Sequence, residues 1–392
     1  MSLNKSFIRG FTDPERQKEI QSMLSAEPLE KDRTFISFSE PSGRRVSEYE
    51  AIMLHAQNSN DTIAGSQEVG PTVMKWTGGR PNYSIESTEM KSSNWYAFRD
   101  PEKRWFFPYV KNKTEEGRFT DRFFKAYSAS GEIRLMDEQW RHEVLDRVYG
   151  AYLYNEYGLF NAHSSIVNTA LSDLIRTFVA QIGFDKNDSA QMIQMQRVFL
   201  GKLDEDFNPD LVRAKDMWMN DPMWQGARTT VQELWQETMD WLEGVWACHS
   251  VYDAIFGQYV RREVFQRVAP AFRDTLTPWI TVQASTYHQN ALQGSNALFN
   301  KMLLEDPVYG AHNKRWLHVW TEKWLQKSVD ALGSFIMGYQ MHAPRQIEGI
   351  TDKESVRLSV QRVFEDWKTF VADPIDFEVD VDALVNEVMA RY

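Results

Sequence analysis

One cysteine, Cys248, is all that this 392-residue chain contains, so an intrachain disulfide is excluded and a reducing compartment is indicated. Long hydrophobic runs are also missing: no stretch approaches the roughly 18 apolar residues a spanning helix needs. The segment Met1–Arg16 is polar and charged, unlike a secretory leader. These absences predict a cytoplasmic protein without a membrane partner. Basic charge is in deficit, with 44 Lys and Arg against 55 Asp and Glu for a net charge of −11. A general nucleic-acid binder needs the opposite balance to neutralise phosphates. Neither a Gly-x-Ser-x-Gly elbow nor a glycine-rich phosphate loop occurs, so nothing points to a serine hydrolase or a nucleotide site.

What is abundant is aromatic surface. Fourteen Trp, 15 Tyr and 23 Phe accompany an ordinary apolar content of 42% and a mean hydropathy of −0.51. Such residues fill large cores and dominate buried contacts between subunits. The composition predicts a core together with a large obligate interface.

The chain divides near residue 115. Residues 1–115 carry Pro28, Pro41, Pro71, Pro81, Pro101 and Pro108, with Gly65, Gly70, Gly78 and Gly79 among them. This punctuation breaks helices; the one good helical patch is Asp13–Leu24, with Thr12 to cap it and Pro14 in its first turn. Yet Trp76, Tyr83, Trp95, Tyr96, Phe98, Trp105, Phe106, Phe107 and Tyr109 fall here, unlike a disordered tail. We expect an irregular arm ordered against its own bundle or a partner chain, with Trp105 and Tyr109 facing the partner.

From about Thr120, residues 116–392 read as helices: Asp137–His163, Ile166–Ile182, Ser189–Leu203, Ala227–Ala247 (with an alternative end towards Val268), Pro278–Leu304, Asn313–Met341, Lys353–Val371 and Val381–Arg391. Breaks are expected at Gly183, Pro209, Pro222, Pro270, Pro307 and Pro344. Helices this long favour a large bundle.

Candidate chemistry is sparse. Di-iron bundles take a Glu-x-x-His pair from each of two helices, because that spacing sets carboxylate and imidazole side by side. The residues three places before the eight histidines are Ile52, Gln139, Phe160, Trp246, Ser285, Tyr309, Arg315 and Tyr339, none acidic. Glu138 and His142 stand four apart in a polar run, better read as a solvated turn than a metal half-site. Glu156 and His163 return to one face but lie about 10 Å apart along the axis, too far to share one ion; structural hydrogen bonding is favoured. His249 and Asp253 read as a possible satisfied pair. Glu233, Glu237 and Asp240 read as an exposed charged stripe. Cys248 and His249 are neighbours whose side chains diverge on a helix, giving no local dyad. Arg99–Lys125 interleaves bases with aromatics, but Asp100, Glu102, Glu115, Glu116 and Asp121 offset the charge, which favours a protein contact over nucleic acid.

Several blocks together resemble the hydroxylase β subunits of the bacterial multicomponent monooxygenases, of the soluble methane monooxygenase type. They are Gly78-Gly79-Arg80-Pro81, Arg99-Asp100-Pro101 with Arg104-Trp105, Pro108-Tyr109-Val110-Lys111, Thr120-Asp121-Arg122-Phe123, and Asn155-Glu156-Tyr157-Gly158-Leu159-Phe160-Asn161-Ala162-His163. Further along come Ala190-Gln191-Met192-Ile193-Gln194, Val251-Tyr252-Asp253-Ala254, Phe256-Gly257-Gln258, Arg261-Arg262-Glu263 and Leu276-Thr277-Pro278. The similarity runs over essentially the whole chain.

The resemblance implies an all-α, ferritin-like or ribonucleotide-reductase-like bundle with an irregular N-terminal arm at 1–115 and a helical domain at 116–392 lacking di-iron ligands. It implies a non-catalytic subunit of an NADH-dependent oxidoreductase of one-carbon metabolism, with O2 activated at a di-iron centre in a partner α subunit. It further implies an (αβγ)2 assembly served by a regulatory protein and an NADH reductase. No catalytic, cofactor-binding or metal-ligating residue is assigned to this chain, and no cofactor is expected in it. The stretch Ile63–Trp76 departs from the methane-oxidising pattern and leaves a propane-, butane- or alkene-oxidising relative open, besides a stand-alone helical scaffold.

Overall fold

The computed structural model describes residues 34–37, 44–47, 49, 53, 87–95 and 97–392. The Asp13–Leu24 helix and the arm residues Trp76, Tyr83 and Tyr96 lie outside this set. Within the arm, β1 (Thr34–Ser37) and β2 (Arg44–Ser47) pair antiparallel, Thr34 opposite Ser47. From Phe106 onward the described residues are mainly helical, as the sequence predicts for 116–392.

Helix α1 (Phe106–Ser130) starts earlier than the expected onset near Thr120. Pro108 falls in its first turn, where a missing N–H costs nothing, so it opens the helix instead of interrupting the chain. Gly131, at φ 70°, closes it in the left-handed conformation glycine adopts freely. Wider π-helical turns at Trp140–Tyr149 then run straight into α2 (Gly150–Ile166).

Helix α3 (Asp173–Leu203) is continuous, and this corrects the predicted break at Gly183. A Cβ at Gly183 would come within 2.7 Å of His163 Cβ, so the glycine lets α2 and α3 approach closely. The start also moves from Ile166 to Asp173, where Ser172 Oγ accepts the Ile175 N–H.

Next come α4 (Leu211–Asn220) and α5 (Pro222–Gln236), with Asp221 capping α5 and Pro222 in its first turn. The predicted Ala227–Ala247 helix is two helices. The first ends at Gln236, and Asp240 caps α6 (Trp241–Val245) by accepting from the Leu242 and Glu243 N–H groups. π-Helical turns over Trp246–Gly257 and Tyr259–Gln266 extend α6. The remaining helices are α7 (Leu276–Asn296), prolonged by π turns at Ala297–Leu304, α8 (Gly310–His342), α9 (Lys353–Trp367) and α10 (Val381–Met389).

Helices α2, α3, α7 and the extension of α6 form a four-helix core, with α5 and α8 packed beside it. Trp140, Trp224, Trp241, Trp246, Trp324 and Trp367 are wholly buried. Their indole N–H groups find partners where the core is polar enough: Trp140 donates to Asp274 at 2.9 Å, Trp246 to Thr321 at 3.0 Å and Trp367 to the Ser250 carbonyl at 2.8 Å. The arm residues next to the bundle belong to this core. Trp95 lies against Trp241 at 6.0 Å between centroids, and Phe98 against Phe178 at 5.3 Å.

Candidate functional site: a buried ion cluster between four helices

Each of the four core helices sends one or more ionisable groups into the centre. Glu156 comes from α2, Lys186 from α3, Asp253 and Arg261 from the α6 extension, and His288 from α7; each is buried. The Lys186 Nζ donates to Glu156 Oε2 at 3.1 Å and to Asp253 Oδ2 at 2.7 Å. Arg261 holds Asp253 with two bonds, Nη1 to Oδ1 at 2.7 Å and Nη2 to Oδ2 at 3.1 Å. The same Nη1 donates to Tyr152 Oη at 3.0 Å and lies 3.6 Å from Glu156 Oε1. His288 Nδ1 stands 2.8 Å from Asp253 Oδ2 without hydrogen-bond alignment.

Two carboxylates and two cations therefore balance in a buried interior. Isolated charges there would cost several kcal/mol each. Burial alone would raise the Asp253 pKa; Arg261 and then Lys186 outweigh it and hold the carboxyl well below its ordinary value. Gly257 makes the arrangement possible, because a Cβ there would sit 1.9 Å from Asp253 Oδ1 and 2.8 Å from Arg261 Nη1.

Beside the cluster lies a second buried pair. His163 Nδ1 is 2.7 Å from the Leu159 carbonyl, which can only accept, so that nitrogen carries the proton. His163 Nε2 then accepts from His249 Nε2 at 2.7 Å, leaving His249 Nδ1 unprotonated and without a partner. Burial pushes the His163 pKa down to about 4 and that of His249 well below its ordinary value. Both rings are neutral at pH 7.

The sequence candidates are distributed as follows. Glu156 and His163 share α2 but reach different partners. His249 and Asp253 do not pair with each other. Cys248 does approach a histidine: the ligand atoms of His163, Cys248 and His249 lie within 4.8 Å of one another, against the divergence expected for neighbours. That trio suits hydrogen bonding better than a metal. Nitrogens on one tetrahedral zinc would stand about 3.3 Å apart, and burial raises the Cys248 thiol far from its thiolate.

Glu138 is exposed, and His142 turns 3.3 Å to Asp204. Glu233, Glu237 and Asp240 form no stripe. Glu233 pairs with Lys323 and Lys327, Glu237 ends α5, and Asp240 caps α6 while accepting from the Glu89 N–H. Two bases of the Arg99–Lys125 stretch, Arg104 and Lys113, are tied into the protein's own fold. Arg104 pairs with Asp100 and Lys113 with Asp185, while Tyr109 Oη donates to Asp185 at 2.9 Å. Trp105 packs against the core. Trp105 and Tyr109 are half-buried against the chain's own bundle, which leaves part of each side chain at the surface.

Lys186 escaped sequence reading because Gly183-Phe184-Asp185-Lys186-Asn187-Asp188 has the composition of a loop. A single signal pointed the other way, since Ile182 and Ser189–Leu203 continue helical periodicity on both sides.

Two carboxylates, one histidine and two internal cations do not match a di-iron site, which takes four carboxylates and two histidines. A cavity of about 10 Å³ beside Arg261, lined by Tyr149, Tyr152, Ser189, Met192 and Tyr287, has room for one water at most. Among the described residues no helix is long and apolar enough to cross a membrane.

Fold and interior define an all-helical bundle whose centre is closed by salt bridges. The sequence profile of the family described as Methane/Phenol/Alkene Hydroxylase matches residues 74–307. Over 390 residues the chain is 45% identical to the methane monooxygenase component A beta chain of Methylococcus capsulatus, covering 100% of this chain and 99% of that one. It is 25% identical over 353 residues to the hydroxylase small subunit of propane 2-monooxygenase from Rhodococcus jostii, covering 89% and 92%. In fold it matches a chain of toluene 4-monooxygenase, solved with toluene in its resting active site, at a TM-score of 0.63 and 19% identity over 79% of this chain and 98% of that one. The chain belongs to the methane, phenol and alkene hydroxylase family.

Proposed function

We propose that this chain is the β subunit of a hydroxylase that oxidises methane to methanol, and that its role in the complex is structural. The observation that carries the structural role is the Lys186–Glu156–Asp253–Arg261 cluster, which fills the centre of the four-helix core with the protein's own charges. Full-length identity of 45% to a methane monooxygenase β chain, against 25% to a propane monooxygenase small subunit, favours methane. The di-iron centre belongs in this reading to a partner α subunit, where it supplies O2 activation. This chain, α and a γ subunit form an (αβγ)2 complex in the cytoplasm, served by a regulatory protein and an NADH reductase.

Exposed aromatics support an obligate partner. Phe119 and Trp279 are 51% and 55% exposed and lie 6.2 Å apart between centroids, on the outer face of α1 and α7. The test is to express the chain alone and with its α and γ partners, then measure iron, assembly and methanol formation. Methane oxidation only in the full complex, with iron following the α chain, is the expected result. About two irons per isolated β chain, or full activity without it, would overturn the reading.

A further inference from the structure

We infer that residues 106–117, the first three turns of α1, are a gate that unwinds while the bundle stays folded, and that its opening admits water to the cavity beside Arg261. The inference stands on this chain's own geometry and is independent of the subunit assignment. These turns make a poor helix. No side chain caps them at Trp105 and no acidic residue lies in the first turn, while Lys111 and Lys113 bring positive charge towards the positive end of the helix dipole. Gly117 closes the segment in mid-helix, exposed and with nothing within 4 Å of a Cβ there, so it weakens the helix without serving any packing. No residue of 106–119 is buried. Burial begins at Thr120, and beyond it Phe124 stacks on Phe199 at 4.4 Å between centroids.

What holds the first three turns is a clamp of polar and charged groups. Lys113 Nζ lies 2.7 Å from Asp185 Oδ1 and 3.2 Å from Asp188 Oδ2, both on α3, and Tyr109 Oη adds its bond to Asp185. Glu116 Oε2 accepts from Gln283 Nε2 at 3.0 Å and lies 2.7 Å from Tyr287 Oη, both on α7. Tyr287 Oη is also 2.7 Å from Asp188 Oδ2, yet a hydroxyl has one proton and donates to only one of two carboxylates. The clamp is therefore internally opposed. Its members Lys113, Asp188 and Glu116 are partly exposed, so salt screens them. A segment with few buried apolar contacts, held by contacts of this kind, is one that opens locally ahead of the core.

Gln283 and Tyr287 join the clamp to the interior. Both line the cavity of about 10 Å³, together with Arg261 and Tyr152. Arg261 Nε is buried and has no hydrogen-bond partner in the protein. When residues 106–117 unwind, Glu116 releases both wall residues, and a water that enters can accept from this donor.

The test places a thiol in the cavity wall. The full-length chain carrying S189C, a buried lining position, is treated with iodoacetamide, and alkylation is followed by peptide mass spectrometry. Cys248, wholly buried, reports global unfolding in the same sample. The introduced thiol should react while Cys248 does not. Adding K113M or raising the salt should speed the reaction, and adding G117A should slow it about fivefold, the worth of one Gly-to-Ala change in an exposed helix. A thiol that reacts only as fast as Cys248, or at a rate indifferent to both K113M and G117A, would overturn the inference. Should S189C not fold, hydrogen exchange on the unsubstituted chain decides. Amides of residues 110–117 exchanging roughly tenfold faster than those of 120–130 support the gate, and uniform protection along α1 overturns it.

Discussion

His249 Nε2 lies 2.7 Å from His163 Nε2, and neither ring is reached by solvent. The pair works only while at least one ring is neutral, since two imidazolium ions at this distance would repel. Its consequence is acid lability. The His163 pKa is about 4 in the fold, against an ordinary value near 6.5 in the unfolded chain. Between these values the unfolded state binds more protons, so stability falls as pH drops from about 6.5 towards 4, by on the order of 3 kcal/mol from His163 alone. Urea midpoints at a series of pH values should decline through this window; a midpoint flat from pH 6.5 to 5 would contradict it.

Two glycine substitutions should act in opposite directions. Gly257→Ala places a methyl group 1.9 Å from Asp253 Oδ1 and must part Asp253 from Arg261. Breaking a buried pair costs about 3–5 kcal/mol. Gly117→Ala, on the exposed face of α1 with nothing within 4 Å, should stabilise by about 0.5–1 kcal/mol. Thermal melts of both proteins check the contrast, and a neutral Gly257→Ala would refute the packing argument.

Gly183→Ala tests the junction of α2 and α3. The new methyl group would lie 2.7 Å from His163 Cβ, backbone-adjacent and unable to swing away. A loss of about 1–3 kcal/mol is expected, with helix content unchanged below the melting transition because α3 is continuous. Were Gly183 a loop residue, alanine there would leave the melting temperature where it was.

Exposed aromatics and those half-buried against the bundle should behave differently. Phe119→Ser with Trp279→Ser should leave the melting curve of the isolated chain nearly unchanged and lower the yield of complex with the α subunit. Trp105→Ala with Tyr109→Ala should instead lower the melting temperature, because Tyr109 bonds Asp185 and Trp105 packs on the core. Size-exclusion chromatography and melting, measured on both variants, would expose any reversal.

Local signals in the sequence carried the architecture. Aspartates before Lys353 and Val381 cap helices where the pattern places their starts, and Pro209, Pro307 and Pro344 fall between helices. These devices act within one turn of chain, so they can be read without the fold. The absence of Glu-x-x-His was equally legible, because that motif is a spacing within one helix. Position along the chain could not show that Gly183 continues a helix, that Pro108 begins one, or that Trp105 and Tyr109 also touch the chain's own bundle.

The amino-acid sequence by itself determined an all-α bundle without a di-iron motif, since helix periodicity, caps and ligand spacing are all short-range. Only the tertiary structure decided what fills the centre of the bundle. Lys186, set in a loop-like run, meets Glu156 and Asp253 from helices remote in sequence. A lysine is buried or exposed according to whether carboxylates converge on it, and convergence of side chains from different helices is a property of packing that no local pattern encodes.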